Sequence, residues 1–289
     1  MNIYKKMEGI NNNILKGNSY KNIKSKYILQ HIFGILNKKK LLEIIKCNKN
    51  IQNLLNKDIN DYKIYNKIII EIIPINLYVI DNTFIKYKKE EEKYFHIYFN
   101  DDENKEKKRN YFNKDENVTK IKIIIDYQIK SFKKLFNECE CVEKITFIKC
   151  NRKTIENMSY MFYKCSSLKE INFNSFNTDN LKYMRSMFSK CSSLKELNLE
   201  KFNTKYITDM SYMFNECSSL KKLNLTNFDT SKVINMNCMF FQCSSLEDLI
   251  INNFSVKSLT ITDFMFGNCS ANFKKKIQNL NLKLSEGIL

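Results

Sequence analysis

Residues 184–207 read MRSMFSKCSSLKELNLEKFNTKYI, and this pattern recurs along the second half of the 289-residue chain. A cysteine and a phenylalanine mark the pattern, and each returns after 26 residues. The cysteines are Cys139, Cys165, Cys191, Cys217, Cys243 and Cys269, and the phenylalanines are Phe136, Phe162, Phe188, Phe214, Phe240 and Phe266. A fixed period of this kind is the sequence signature of stacked repeats, in which each unit buries the face of its neighbour.

Each unit of 26 residues combines two hydrophobic periods. Its first part has apolar residues at the spacing i, i+3, i+4 and i+7, which predicts a short amphipathic helix. In the quoted unit these residues are Met184, Met187, Phe188 and Cys191. Leu197 and Leu199 then alternate with polar residues, as in a half-buried strand. The sequence therefore predicts an α/β fold, a solenoid with a parallel sheet on one side and a row of short helices on the other.

Three stretches of the repeat region resemble a known family. They read MSYMFYKCSSLKEINFNSFNTDN (158–180), MRSMFSKCSSLKELNLEKFNT (184–204) and MSYMFNECSSLKKLNLTNFDTSKV (210–233). They resemble the BspA-like leucine-rich repeats of bacterial and protist surface proteins, and the resemblance extends over residues 118–270. It implies a leucine-rich-repeat solenoid that binds proteins or adheres to a host or matrix.

Strand alternation predicts which side chains of the repeats face solvent. Residues next to the inward leucines point outward, and equivalent residues of neighbouring units lie about 4.8 Å apart. They would form a continuous polar ribbon, which we name the strand face and predict to be the partner-binding surface. Its candidate residues are Glu170, Asn172, Glu196, Asn198, Glu200, Lys222, Asn224 and Asp248. The opposite side, which includes Lys164, Ser189 and Lys190, is predicted to be an ordinary solvated surface.

The cysteine, methionine and phenylalanine columns are interpreted as core. Their helical spacing favours packing over a ligand surface, and the cysteines are expected to be free, small, buried side chains. The chain has no CxxC pair, and His31 and His96 lie far from the cysteine clusters, so the spacing indicates no metal site. The five glycines do not cluster into a phosphate-binding loop, so no cofactor is indicated. No set of residues suggests catalysis, and we predict that the protein is not an enzyme.

The first half of the chain is organised differently. Residues 1–58 are predicted to form a helical segment, with residues 1–20 disordered and helices at 27–36, 41–46 and 51–55. Residues 59–117 are predicted to form a small β-rich region, with strands at 67–73, 77–87 and 94–99 and a charged loop at 101–117. Residues 118–289 are predicted to form the solenoid and a C-terminal cap. Its first, shorter unit begins at Val118 and places Ile121 and Ile123 in the inward strand positions.

Residues 27–55 also resemble an F-box, a helical motif that recruits a ubiquitin-ligase scaffold. Residues in roughly the right order are Ile32, Phe33, Leu36, Leu41, Lys49, Leu54 and Leu55, although the usual leucine-proline pair is missing. This resemblance implies a substrate-recognition adaptor of a ubiquitin ligase, with a Skp1-like protein as partner. The alternative is a plain helical cap over the first coil of the solenoid.

Composition and charge restrict the function further. The net charge is +17, but it divides almost evenly between the two halves of the chain, which is typical of lysine-rich solvated surfaces. Nucleic-acid binding is therefore less favoured, although it stays open. No signal peptide or transmembrane segment is seen, so a cytoplasmic protein is expected and a cell-surface adhesin is less favoured. The leading hypothesis is a non-enzymatic protein–protein interaction module with an unknown protein partner, and the F-box-type adaptor is the first alternative.

Overall fold

The structure is a computed structural model, and its helices, strands and turns fall into two compact units, Met1–Asn66 and Lys67–Leu289. The described residues are 41–42, 46, 49–55, 59–75, 82–150, 152–173, 175–251, 254–255, 258 and 261–278.

The described part of the first unit is helical. Helix α1 spans Lys49–Leu55 and helix α2 spans Ile59–Tyr65. Helix α1 confirms the helix predicted at 51–55, and its Ile51 is buried. Helix α2 was missed, although Asp61 in its first turn and Lys63 in its last turn suit the helix dipole. The predicted disordered segment, the predicted helix at 27–36 and the first three residues of the F-box-like pattern lie outside the described residues.

The second unit begins with a mostly antiparallel sheet. Its strands are β1 (Ile68–Pro74), β2 (Phe95–Phe99), β3 (Ile121–Ile125), β4 (Val142–Lys149) and β5 (Glu170–Asn172), in the order β2-β3-β1-β4-β5. A 3₁₀ helix at Lys89–Tyr94 leads into β2. Strands β1 and β2 confirm the predictions at 67–73 and 94–99, and alternate residues of β1 are buried, as its isoleucine-rich pattern requires. Described residues 82–87 form only an isolated bridge, from Thr83 to Tyr111, so the strand predicted at 77–87 does not extend through them.

Strand β3 corrects the predicted start of the repeats. It lies between β2 and β1 and pairs antiparallel with both. Ile121 and Ile123 are buried, as predicted, but they belong to this antiparallel sheet and not to a repeat unit, so that interpretation was wrong. The reason is physical, because alternation of apolar residues reports which face of a strand is buried and says nothing about the direction of its neighbours.

From β4 onward the units of 26 residues stack in parallel. Strand β4 pairs parallel with β5, and β6 (Lys222–Asn224) pairs parallel with β7 (Asp248–Ile250). Parallel bridges also join Asn157 to Tyr183 and Asp209 to Asn235. The six phenylalanines of the repeat stack ring on ring, with centroids 5.4–5.6 Å apart and planes within 4–8° of parallel. The core therefore runs as continuous columns from one repeat to the next.

The predicted helices of the repeats are wrong, because these segments are tight turns. In one unit, Met187 N–H donates to the Met184 carbonyl at 3.2 Å and Cys191 N–H to the Phe188 carbonyl at 3.1 Å. The alternate amides donate instead to the next repeat, as Phe188 N–H does to the Met213 carbonyl at 2.9 Å. Lys190 N–H likewise donates to the following repeat and has a positive φ of 64°. The neighbouring repeat takes the hydrogen bonds that a helix would make internally, so the helical spacing is met by consecutive turns, whose outer surface we name the turn face.

The parallel ladder is interrupted in the middle of the stack. Residues 196–198, which are equivalent to β5 and β6, do not form a strand. Leu197 and Leu199 are nevertheless buried, so the inward and outward alternation is kept. The second compact unit therefore has two separate sheets, and the larger one contains both antiparallel and parallel pairs. This differs from the continuous parallel sheet that the sequence predicts.

Helix α3 (Ala271–Gln278) follows the last described repeat. Its Phe273 and Ile277 are buried, and the Phe273 ring lies 5.8 Å from Phe266, the last ring of the phenylalanine stack. The helix therefore covers apolar surface that another repeat would otherwise bury, which is the role of a terminal cap.

Candidate partner-binding face

The strand face is exposed where the sequence predicts it. Seven of its eight candidate residues are exposed and Asn172 is half-buried, while Ile171, Leu197, Leu223 and Leu249 between them point into the core. Parallel pairing sets Glu170 beside Lys144 and Lys222 beside Asp248. The predicted residues thus form adjacent columns on one surface, and their role in binding a partner stays a prediction.

These columns line a shallow groove that crosses four repeats. Seven of the eight candidates contribute to its lining, namely Glu170, Glu196, Asn198, Glu200, Lys222, Asn224 and Asp248. Asn172 lines a smaller hollow beside it, between the repeat of β5 and the repeat that has no strand, and shares this hollow with Glu170, Asn198 and Glu200. The interruption of the ladder therefore lies within the groove, at the second of its four repeats.

Two asparagines of the strand face use their side-chain oxygen in a local hydrogen bond to the backbone. Asn198 Oδ1 accepts a hydrogen bond from the Glu200 amide at 3.0 Å, and Asn224 Oδ1 accepts from the Thr226 amide at 3.0 Å. Both are Asx turns, and the one at Asn224 ends strand β6. These turns were not predicted, although an asparagine two residues before a polar residue is a usable signal in the sequence.

Charge is unevenly distributed over the groove. Glu170 forms an ion pair with Lys144 at 2.8 Å. Glu196, Glu200 and Asp248 form no ion pair with any described residue, and Lys222 is the only cation in the lining. Four carboxylates against one ammonium give the groove a net negative charge within a strongly basic chain.

The turn face differs from the solvated surface that the sequence predicts. Lys164 and Lys190 are half-exposed and pair with Glu138 at 3.7 Å and Glu216 at 3.3 Å. Ser189 is buried, and its hydroxyl accepts a hydrogen bond from Asn215. Aromatic side chains that the sequence analysis did not single out also lie here, namely Tyr160, Tyr163, Tyr212, Phe241 and Phe264.

The cysteine column is buried and makes hydrogen bonds. From Cys165 onward the thiol of the column donates to the carbonyl of the phenylalanine in the preceding repeat, as Cys217 Sγ does to Phe188 at 3.1 Å. The other four contacts of this kind span 2.9–3.1 Å. Burial raises the pKa of the Cys217 thiol to about 12. The nine described cysteines are all free, and a buried protonated thiol is a poor nucleophile, so the column is structural.

His96 is held between two carboxylates. Its Nδ1 lies 2.9 Å from Glu106 Oε1 and its Nε2 lies 3.4 Å from Asp126 Oδ2. Desolvation raises the pKa of Glu106, but hydrogen bonds from Lys108 and His96 outweigh it and leave this pKa below its ordinary value. Asp126 also pairs with Lys67 at 3.3 Å. These contacts tie β1, β2 and the charged loop together, while His31 lies outside the described residues.

The described residues contain neither a metal-binding cluster nor a membrane-spanning helix. No group of three or more His, Cys, Asp or Glu side chains in the described ranges is placed to hold a metal ion. Among the same residues, no helix has the length and apolar character needed to cross a bilayer.

A family model covers most of the repeat region. The model, described as "Mycoplasma protein of unknown function, DUF285", matches residues 106–197, 130–224 and 193–287. The three matches overlap and together cover more than half of the chain, including every unit with the cysteine and phenylalanine columns. The sequence resemblance to a repeat family is thus supported at this level.

Comparison with other proteins adds little. The crystal structure of a leucine-rich repeat protein from Eubacterium ventriosum matches with 16% identity over 51% of this chain and 48% of that chain, and the TM-score is 0.30. The match spans about half of that protein, and a TM-score this low supports no structural conclusion. No curated protein matches the chain.

Proposed function

The chain belongs to the DUF285 family, whose members are described as Mycoplasma proteins of unknown function, and from this premise we propose that it is a non-enzymatic protein–protein interaction module. In this proposal the stacked repeats are a leucine-rich-repeat solenoid of the BspA-like type. The strand face binds a protein partner, and the turn face and the buried columns hold the repeats together.

One observation carries the proposal, namely a row of exposed carboxylates that the fold does not use in ion pairs. The buried columns are occupied with packing and hydrogen bonds between repeats, as the phenylalanine and cysteine contacts show. The exposed carboxylates of Glu196, Glu200 and Asp248, by contrast, form no ion pair with the described chain. Exposed carboxylates that make no ion pair and line a groove are available for recognition, and repeat stacks commonly bind on their strand surface.

The charge of the strand face favours a protein over a nucleic acid. A phosphate backbone is bound by clusters of lysine and arginine. The groove has four carboxylates and one lysine, so it would repel a phosphate backbone. The basic charge of the chain is spread elsewhere on the surface, where many lysines form ion pairs with neighbouring carboxylates, as Lys169 does with Glu143 at 2.8 Å.

The proposal is tested by changing one face at a time. The partner would first be captured by crosslinking the full chain in an extract of its source cell and identified by mass spectrometry. We then expect the triple variant Asn172→Arg, Asn198→Arg and Asn224→Arg to weaken the measured affinity at least about tenfold, because three bulky cations would block the groove.

The matched control puts the same amide-to-arginine changes on the turn face, as Asn137→Arg, Gln242→Arg and Asn268→Arg. These residues are exposed or half-buried in the turn segments, and the control should bind within about twofold of the unchanged chain. Circular dichroism would confirm that both variants are folded. Loss of binding in the control alone would assign the partner to the turn face and contradict the proposal.

A further inference from the structure

The groove on the strand face has the dimensions of an extended peptide. It runs across the four repeats that contain Glu170, Glu196, Lys222 and Asp248. Three steps of about 4.8 Å between repeats give a length of roughly 14 Å. A peptide in extended conformation advances about 3.3 Å per residue, so four to five residues would span the groove, with alternate side chains directed into it.

Carboxylates are distributed along the full length of the groove. Glu196 and Asp248 lie two repeats apart in the same column, which corresponds to about 10 Å. Glu200 lies four residues beyond Glu196, on the far side of the groove. Lys222 lies between the repeats of Glu196 and Asp248, and Glu170 is already paired with Lys144. A ligand with two cationic side chains about 7 to 10 Å apart would meet an unpaired carboxylate on each side of Lys222.

The lysines near the groove do not neutralise it. Lys195 and Lys221 are exposed one residue before Glu196 and Lys222, and Lys201 lines the neighbouring hollow, but none of the three contributes to the lining of the groove. At physiological ionic strength, charges are screened beyond about 8 Å. A side chain inside the groove is therefore governed by the lining carboxylates more than by the net charge of +17.

The interrupted ladder provides a place for the peptide backbone. Residues 196–198 do not form a strand, whereas the equivalent residues of the neighbouring repeats form β5, β6 and β7. The hollow beside residues 196–198 opens between their repeat and the repeat of β5. Asn198 and Asn224 have amide groups at the groove, and only their Oδ1 atoms are used in Asx turns. Their Nδ2 groups can donate to carbonyls of a bound chain, which suits a peptide better than a small ion.

We propose that the groove binds an extended, lysine- or arginine-containing segment of the partner protein, with cationic side chains at alternate positions. This inference rests on the proposed function and specifies the chemistry of the partner. Basic side chains would lie against Glu196 and Glu200 on one side of Lys222 and against Asp248 on the other. The Asn198 and Asn224 amides would hold the backbone of the segment between them.

The test uses the full chain and three fluorescein-labelled twelve-residue peptides that alternate threonine with lysine, glutamate or glutamine. Fluorescence anisotropy at physiological ionic strength should show binding of the lysine peptide, with affinity at least about tenfold above that of the other two. Binding should weaken as salt is raised. The variant Glu196→Gln, Glu200→Gln and Asp248→Asn keeps the side-chain shapes and should lose most of this preference.

A control with the same change in net charge is Glu138→Gln, Glu216→Gln and Asp263→Asn on the turn face, and it should bind the lysine peptide within about twofold of the unchanged chain. Equal losses in both variants, no preference for the lysine peptide, or preference for the glutamate peptide would each overturn the inference. The proposed function fails separately. If the arginine variants of the strand face abolish capture of the partner while the lysine peptide is not preferred, the face is right and the assigned chemistry is wrong.

Discussion

The thiol of each cysteine in the repeat column is a hydrogen-bond donor as well as a small apolar group. The Phe188 carbonyl, for example, accepts from the Cys191 amide of its own repeat at 3.1 Å and from the Cys217 thiol of the next repeat at 3.1 Å. Alanine would fill similar space but would leave the carbonyl with one donor. The cysteine column therefore adds side-chain hydrogen bonds to the backbone hydrogen bonds that join neighbouring repeats.

The buried thiols should make the free energy of unfolding fall with rising pH in the alkaline range. The pKa of Cys217 rises from its ordinary value of 9.0 to about 12 because of burial. Above about pH 9 the unfolded chain loses this proton while the folded chain keeps it, so the free energy of unfolding should fall as pH rises from 9 towards 12. Urea titrations at several pH values should show that Cys217→Ala reduces this fall by about 1 kcal/mol per pH unit. A slope unchanged in the variant would contradict the assignment.

The phenylalanine stack should dominate the stability of each repeat. Phe214 is fully buried, with Phe188 at 5.6 Å and Phe240 at 5.4 Å on its two sides. Phe214→Ala should lower the free energy of unfolding by about 3–5 kcal/mol, because it removes apolar burial and leaves a cavity. Glu216→Gln in the same turn is the control, and it should cost less than about 1 kcal/mol because its ion pair with Lys190 is partly exposed. Denaturant melts of the two variants would measure the difference.

At the scale of the element, the turn segments show where sequence patterns reach their limit. The spacing of Met184, Met187 and Phe188 correctly places these side chains in the core. It cannot report whether the Phe188 amide bonds within its own segment or to the next repeat, and that choice separates a helix from a turn. The positive φ of Ser186, a residue with little preference for that conformation, is a further feature that the local sequence does not announce.

The same limit applies to the strands. Leu197 and Leu199 are buried and Glu196 and Asn198 are exposed, as the alternation predicts, so the residues of the strand face were found from the sequence. The interruption of the ladder at these residues was not found, because backbone pairing depends on the neighbouring repeats. The antiparallel direction of Ile121 was missed for the related reason that a pattern within one strand carries no information about its partner.

A pair of substitutions at Lys190 separates turn from helix. In a helix, Lys190→Gly would be less stable than Lys190→Val, because glycine has the lower helix propensity. In the turn described here the residue has φ 64°, a conformation that glycine adopts easily and β-branched residues avoid. We therefore expect Lys190→Gly to be more stable than Lys190→Val by about 1–2 kcal/mol in thermal or urea melts. The reverse order of stability would indicate that the segment is a helix.

At the scale of the whole molecule, the fixed period predicts that the chain can lose one complete repeat of 26 residues and still fold. Deletion of residues 192–217 removes 26 residues and joins Cys191 to Ser218, which occupy consecutive positions of the pattern. The shortened protein should still fold cooperatively, with a lower melting temperature because one interface between repeats is lost. Deletion of residues 192–204 removes half a unit and should abolish the cooperative melt. Circular dichroism of both deletions would check this, and equal outcomes would show that the columns do not govern the register.

The backbone hydrogen bonds that join the turn segments of neighbouring repeats all run in one direction. Phe136, Phe162, Phe188, Phe214 and Phe240 each donate their amide to a carbonyl of the following repeat. Peptide dipoles aligned in this way add together. Their sum gives this side of the stack an electrical polarity along its axis, with the partially positive end towards the last repeat and the partially negative end towards the first. A row of tight turns thereby acquires the macrodipole that is usually ascribed to a helix.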